Sequence, residues 1–430
     1  MRCLALALAT LLLVAGKVWA GEGSSDFALE NGFKVRLVPM SGDRQVAVVL
    51  GVRAGFLDEP AGLPHIAHIT EHLVVFGHPA GSDDGEAVAR WFRQGRANGE
   101  TLPGWMYFDL QVDPAELEMA VRVQAARLAR PEFTEKGLAR EVPRALDELA
   151  FMEQSKQGGT GKFAYSAFVQ AALYGRTDVP IKAASRAITL DDVRRFHAAT
   201  FRPDQAILVV VGGFDPARAR SLIEKAFGPI APGHRAAGRP RPRPGVLTAR
   251  WDASTRHLIV AWPTPATTSP DHAALSLAVE TLDARLRADA ELARRAKMPL
   301  VTNDVDGLFL VNVQAKPGAD LDALRGRLLD QVARLNTPDG LAPLPLLQAR
   351  MALGNTIRPG EMATLFAPAG TRVLTRTNQE LQRLGKELGW GDLDAYARRA
   401  NALDAAAVRA AVANALAPGK AVVVRVEPSR

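Results

Sequence analysis

The apolar and polar positions fall into blocks whose period changes along the chain. Residues 33–40 alternate with period two and predict a half-buried strand, while 45–54 are apolar almost without break and predict a buried one. After a loop over 55–62, Ile66, Ile69, Leu73 and Phe76 recur at helical spacing, so a buried helix is expected within 62–76. A helix over 85–93, a strand over 104–113 and a helix opened by Pro114 and running to about Leu128 come next. A further helix is predicted from about Thr134 to Glu153, with Pro143 expected to kink it or to start it there. Thr189 is placed to cap a helix ending near Thr200, followed by a strand over 206–211 and a helix over 215–227.

Residues 229–245 alternate proline with arginine and read as an extended linker. Beyond it the plan recurs: strand 257–262, helix 271–286, strand 308–315 and helix 321–335. The two ends match without a gap. Thr189 precedes Pro203 by 14 residues and Asp404 precedes Pro418 by 14 residues (203 − 189 and 418 − 404), each pair spanning a cap, a helix, a proline and then an apolar strand. A repeat of roughly 200 residues predicts an α+β chain of two homologous α/β-sandwich units. Their expected limits are 21–228 and 246–430, around the linker at 229–245.

Composition changes the picture mainly at the N-terminus. With 47% hydrophobic and 23% charged residues the chain is globular in character. Residues 1–20, however, carry a short basic start, an apolar run and small residues before Gly21, the pattern of a cleaved signal peptide. Export to the periplasm or the medium is the expectation. Cleavage would remove the single cysteine, Cys3, so disulfides and thiolate ligands are excluded from the mature chain. It would also remove Arg2 and Lys17, lowering the formal charge from +7 to +5 (7 − 2). Much of the remaining basic excess lies in the proline-rich tract, and no basic stripe is interleaved with aromatics, so nucleic acid is not an expected partner.

The chemistry concentrates in the first predicted buried helix. His68, Glu71 and His72 form H-x-x-E-H, and positions i, i+3 and i+4 share one helical face. Two imidazoles so placed can grip one metal ion with a carboxylate beside them, which suits a hydrolytic zinc site. The chain has eight histidines and four of them fall within 65–78, a clustering that favours a metal over ordinary polar side chains. A third ligand is required. Glu141 and Glu148 are seven residues apart (148 − 141), so they share a face of the later helix, and either could reach the metal.

Several segments, in order, resemble the pitrilysin/insulinase (inverzincin) family of zinc metallopeptidases, which includes the mitochondrial processing peptidase. Gly32–Met40 and Val46–Glu59 resemble its opening strands, Ala67–His72 its metal motif, and Ile188–Val193 with Phe201–Gly212 the end of its first unit. The likeness runs over residues 26–428 and is weaker in the second half. Glu148 stands 76 residues beyond His72 (148 − 72), where the family carries its distant acidic ligand. The resemblance therefore implies His68, His72 and Glu148 as ligands of one Zn2+ and Glu71 as general base, with Glu141 orienting a ligand histidine. It also implies that Asn98, in Asn98-Gly-Glu-Thr101, contacts a peptide adding as a strand, although Gly99 and Pro103-Gly104 put that strand's regularity in question.

The family has glycine where this chain has His65, which leaves a spare ligand, a substrate contact or a surface residue; the surface is favoured, and His78 is expected in a loop. The substrate-binding arginine and tyrosine of active single-chain members are not matched in the second half, whose one tyrosine is Tyr396. A dimer is implied, with a metal-free homologue as the first choice of partner. The expected function is a zinc endopeptidase acting on peptides or unfolded polypeptides. The alternative is a non-catalytic structural or peptide-binding subunit of the same fold.

Overall fold

The structure, a computed structural model, describes residues 24–429 apart from 79–81, 155–160, 234–239, 266–268, 296–300, 306 and most of 358–391. The expected signal segment and the middle of the expected linker lie outside the described residues.

The first half runs β1 (Ser25–Ala28), β2 (Lys34–Pro39), β3 (Val46–Val52), α1 (Ile66–Phe76), α2 (Asp83–Arg93), β4 (Ala97–Thr101), β5 (Met106–Val112), α3 (Leu117–Ala129), α4 (Glu135–Gln154), α5 (Ala164–Tyr174), β6 (Asp178–Val179), α6 (Ile181–Ala187), α7 (Leu190–Thr200), β7 (Ala206–Gly212) and α8 (Pro216–Phe227). The second half runs β8 (Gly245–Trp251), β9 (Arg256–Pro263), α9 (Pro270–Ala288), α10 (Ala290–Arg295), β10 (Val301–Val305), β11 (Leu308–Ala315), α11 (Leu321–Arg334), α12 (Pro343–Ile357), α13 (Leu393–Ala402), α14 (Ala405–Ala415) and β12 (Val422–Pro428).

Two mixed sheets result, ordered β1-β2-β7-β3-β5-β4 and β10-β11-β9-β12-β8-β6. Their shared plan is the internal repeat in three dimensions. β2 pairs parallel with β7, and β7 continues antiparallel through β3 and β5 to β4. In the second sheet β8 pairs parallel with β12, and β12 continues antiparallel through β9 and β11 to β10. The repeated cap, helix and strand become α7–β7 and α14–β12. Thr189 Oγ1 accepts the Asp192 N–H while Asp192 accepts the Thr189 N–H; at the second site Asp404 accepts the Ala407 N–H.

All seven residues of β3 are buried because both faces of its sheet are covered. Val46, Val48, Leu50 and Val52 face the helices, and Ala47 and Val49 join Ile207, Val209, Val211 and Val373 on the other side. The second sheet is likewise covered twice. Leu258, Val260 and Val311 face its own helices, while Ile259, Ala261, Val422 and Val424 share a core with Phe163 and Phe168 of the first half. β6 adds parallel to β8 as an edge strand. A helix and a short strand from before the proline-rich tract are therefore built into the second sheet. No helix among the described residues is long and apolar enough to cross a membrane.

Pro143 does not start the helix. α4 runs unbroken from Glu135 to Gln154 with the proline inside it. Proline leaves the carbonyl four residues back without its helical donor, and here that residue, Ala139, is exposed, so water can take the donor's place.

Candidate metal centre

The α1 helix starts after Pro64, and nine of its eleven residues are buried, including His68 and Glu71. Glu59 is fully buried at the start of this helix, where its carboxylate accepts the Ala67 N–H at 3.3 Å. α4 packs alongside and delivers two acidic residues to the same face. The Glu148 carboxylate lies 3.3 Å from His68 Nε2 and 3.6 Å from His72 Nε2. One donor atom from each of His68, His72 and Glu148 lies within 4.8 Å of the others, the one such group among the described residues.

The donor set fits a catalytic zinc ion. Two imidazole nitrogens and one carboxylate oxygen are a known hydrolytic combination, and ligand bonds of about 2.0–2.1 Å in a tetrahedron separate neighbouring donors by about 3.3–3.4 Å. The two histidine–carboxylate separations are close to that value. Glu71 stands outside the triad, 3.8 Å from His68 Nε2.

Each member of the cluster is held by another side chain. Glu141, fully buried, places Oε2 3.4 Å from His72 Nδ1, and its Oε1 accepts from Arg140 Nε at 2.6 Å and from an Arg144 Nη at 3.1 Å. Thr101 Oγ1 donates to Glu71 Oε2 at 3.0 Å from inside β4. One residue pair away, a Cβ on Gly99 would lie 2.6 Å from Glu71 Oε1, so this strand approaches the carboxylate where only glycine leaves room. Lys162 Nζ lies 3.0 Å from Glu148 Oε1, and the Phe163 ring packs edge-on against His68 at 5.1 Å.

Electrostatics follow from these contacts. Burial, foremost, pulls the pKa of His68 down, which keeps its lone pair available. Burial also disfavours the charged form of His72, but hydrogen bonds to Glu141 and Glu148 outweigh it and lift that imidazole to about 9. Burial would raise Glu148, yet the two histidines and Lys162 hold it well below the usual carboxylate range. Glu141 is lowered in the same manner, against burial, by His72, Arg140 and Arg144. A cation arriving here meets two ionised carboxylates and must displace one proton from His72.

The remaining expected residues fall as follows. Asn98 is exposed on β4, an edge strand that is regular from Ala97 to Thr101 despite Gly99, with Asn98 opposite Asp109 in β5. Strand alternation puts it on the face opposite Gly99 and Glu71, so it does not join the donor cluster. His78 lies in the loop after α1, half-buried. Tyr396 is fully buried with its hydroxyl 2.7 Å from His272 Nδ1. His65 corrects the expectation of a surface residue: it has no exposed area and adopts φ +73° at the N-terminus of α1. The left-handed turn folds its ring back under the helix, where Phe163 and His68 cover it. Thr101, Lys162 and His65 carried no motif of their own. The signals available were Thr101 at the end of the quoted Asn-Gly-Glu-Thr segment and a histidine at a position where the family has glycine.

Residues 187–337 match the family model described as peptidase M16 inactive domain. An uncharacterized zinc protease of Mycobacterium leprae is 22% identical over 244 residues, covering 55% of this chain and 55% of that protein. A protease of Helicobacter pylori has the same fold, with TM-score 0.65 and 16% identity over 94% of this chain and 99% of that one. The periplasmic protease PqqL of Escherichia coli aligns at TM-score 0.58 and 15% identity, over 94% of this chain but 47% of that one. The matches span about half or less of the length of the curated relatives. The chain thus matches the M16 inactive-domain model over residues 187–337 and shares its fold with these proteases over nearly its whole length.

Proposed function

We propose that this chain is a zinc-dependent endopeptidase acting on peptides or unfolded polypeptides. The observation that carries the reading is the division of labour in the cluster. His68, His72 and Glu148 converge, while Glu71, outside the triad and beside His68, is held there by a buried hydroxyl. Bound by the triad, zinc would supply Lewis-acid polarisation of a scissile carbonyl and a more acidic water. Glu71 takes the proton of the attacking water and returns it to the leaving amine. Thr101 keeps the Glu71 carboxylate from rotating away, and Glu141 keeps the Nε2 of His72 turned toward the triad. The open edge of β4 offers backbone groups to which an extended peptide can add, with Asn98 contacting it.

Within the M16-like class, we read the chain as a short member with two homologous units, 21–228 and 246–430, resembling the catalytic subunit of the mitochondrial processing peptidase. A partner completes the chamber, either a second copy or a metal-free homologue. Two facts favour this. The chain aligns with 47% of PqqL, and Tyr396 is too buried to serve a substrate. The signal-like sequence of residues 1–20 supports a working protein in the periplasm or outside the cell.

The rival is a non-catalytic subunit of this fold, favoured by the match to the M16 inactive domain. That match begins at residue 187, past Glu71 and all three proposed ligands. The test is cleavage of an unstructured peptide by zinc-loaded protein. Wild type cleaves, Glu71→Gln retains zinc and does not cleave, and His72→Ala loses zinc. A Glu71→Gln variant as active as wild type ends this mechanism.

A further inference from the structure

His65, the one non-glycine residue with positive φ among those described, is fully buried, and so is Ser185 on α6. The two are linked to His68 by an unbranched chain of hydrogen bonds. Ser185 Oγ lies 2.7 Å from the Ile181 carbonyl oxygen, one turn back in α6. His65 Nδ1 lies 2.9 Å from Ser185 Oγ, and His65 Nε2 lies 2.9 Å from His68 Nδ1.

The proton inventory gives this chain a direction. A serine hydroxyl has one hydrogen, and the carbonyl of Ile181 can only accept, so Ser185 donates to it. Ser185 Oγ must then accept from His65 Nδ1–H. A neutral imidazole carries one N–H, so His65 Nε2 is bare and accepts from His68 Nδ1–H. His68 is left with a lone pair on Nε2, the atom 3.3 Å from Glu148 and facing the donor cluster. None of the three side chains is more than 1% exposed, so water is not available to reverse the order.

We infer that the Ser185–His65 pair is a positioning relay that fixes the ring orientation of His68 and, against the pull of Glu148 on Nε2, favours the tautomer that leaves Nε2 to a metal. This rests on the reading of His68 as a ligand. It extends that reading by assigning the support of His68 to a residue whose position the resembling family fills with glycine. His72 is served by a carboxylate, Glu141, and His68 by a second imidazole, so the two ligand histidines are prepared by different chemistry. The left-handed backbone at His65 is a conformation with a steric cost for a side chain, and it is held here by the packing of the ring against Phe163.

The experiment uses the metal-free full chain labelled with 15N-histidine, at mildly alkaline pH, with His68 assigned from a His68→Asn control. Wild type is expected to show His68 protonated at Nδ1 alone. In His65→Gly, which suits the positive φ, and in Ser185→Ala, His68 is expected to show both tautomers. Zinc competition against a chelator should then give a dissociation constant about 10–100-fold higher for His65→Gly, the range found when partners of ligand histidines are removed. A smaller rise is expected for Ser185→Ala. A wild-type His68 protonated at Nε2, or zinc affinity unchanged in both variants, overturns the relay. If wild type shows the expected tautomer and takes up no zinc, the metal reading fails while the relay stands.

Discussion

Replacing Thr101 by valine separates holding Glu71 from holding the metal. The substitution keeps the shape of a fully buried residue and removes one atom group, the hydroxyl that donates to Glu71 Oε2 at 3.0 Å. Glu71 is itself 5% exposed, so water cannot readily replace the lost donor. A hydrogen bond to a charged group contributes about 1.5–3 kcal/mol, and each 1.4 kcal/mol is a factor of ten. If Glu71 works only in the position Thr101 gives it, kcat should fall about 10–150-fold. KM should hardly move, because the lost hydroxyl faces Glu71 and the β4 backbone that would bind peptide is unchanged. Zinc content should also hold, since Thr101 contacts none of the three donors.

The assay is peptide turnover with zinc measured on the same preparation, repeated in a Glu71→Gln background. There the added Thr101→Val change should cost nothing more, because the two residues act as one unit. Wild-type kcat in Thr101→Val, or loss of zinc with it, would refute the reasoning that this hydroxyl acts through Glu71.

Other consequences follow from the same contacts. Glu141→Gln should weaken zinc binding about 10–100-fold without unfolding the chain, since besides the Nδ1 side of His72 it loosens only the pairs with the exposed side chains of Arg140 and Arg144; chelator competition measures this. Burial pushes Glu59 up to about 8 from its ordinary 4.5. A carboxyl raised in the fold contributes stability that is present below about 4.5 and is lost as pH rises toward 8. The wild-type unfolding free energy should therefore fall across that window, by up to roughly 4–5 kcal/mol, and Glu59→Gln should flatten the profile in denaturant titrations at stepped pH. Arg36 Nε lies 2.6 Å from Glu380, whose side chain is fully buried. Glu380→Ala should cost up to about 3–5 kcal/mol, read in a urea titration, by removing the buried carboxylate that Arg36 and Arg376 share and leaving Arg36 only the half-exposed Asp26.

What could be read before the structure was what repeats or recurs at short range. The 3, 4 spacing of His68, Glu71 and His72 marks one helical face whatever surrounds it. The matched ends at Thr189–Pro203 and Asp404–Pro418 become α7–β7 and α14–β12 with the same sheet neighbours. Glu141 and Glu148 share a face because they are two turns apart, and the helix runs on through Pro143 between them, with the carbonyl it orphans on the wet side. The supports of the site were not legible, for a common reason. Thr101 meets Glu71 across a strand, and Ser185 meets His65 across 120 residues of chain. His65 is buried by a backbone turn that hydrophobic periodicity does not encode. β6 is two residues long, too short for any alternation to show that it joins the second sheet.

The central claim is that α1 and α4 together form a metal centre with Glu148 as its distant ligand. Zinc per chain, measured by mass spectrometry on protein purified without added metal, tests it most directly when wild type is set beside Glu148→Ala. The account predicts one zinc in wild type and its loss in the variant, with the fold of both intact by circular dichroism. No zinc in wild type even after it is supplied, or equal zinc in both, would contradict it.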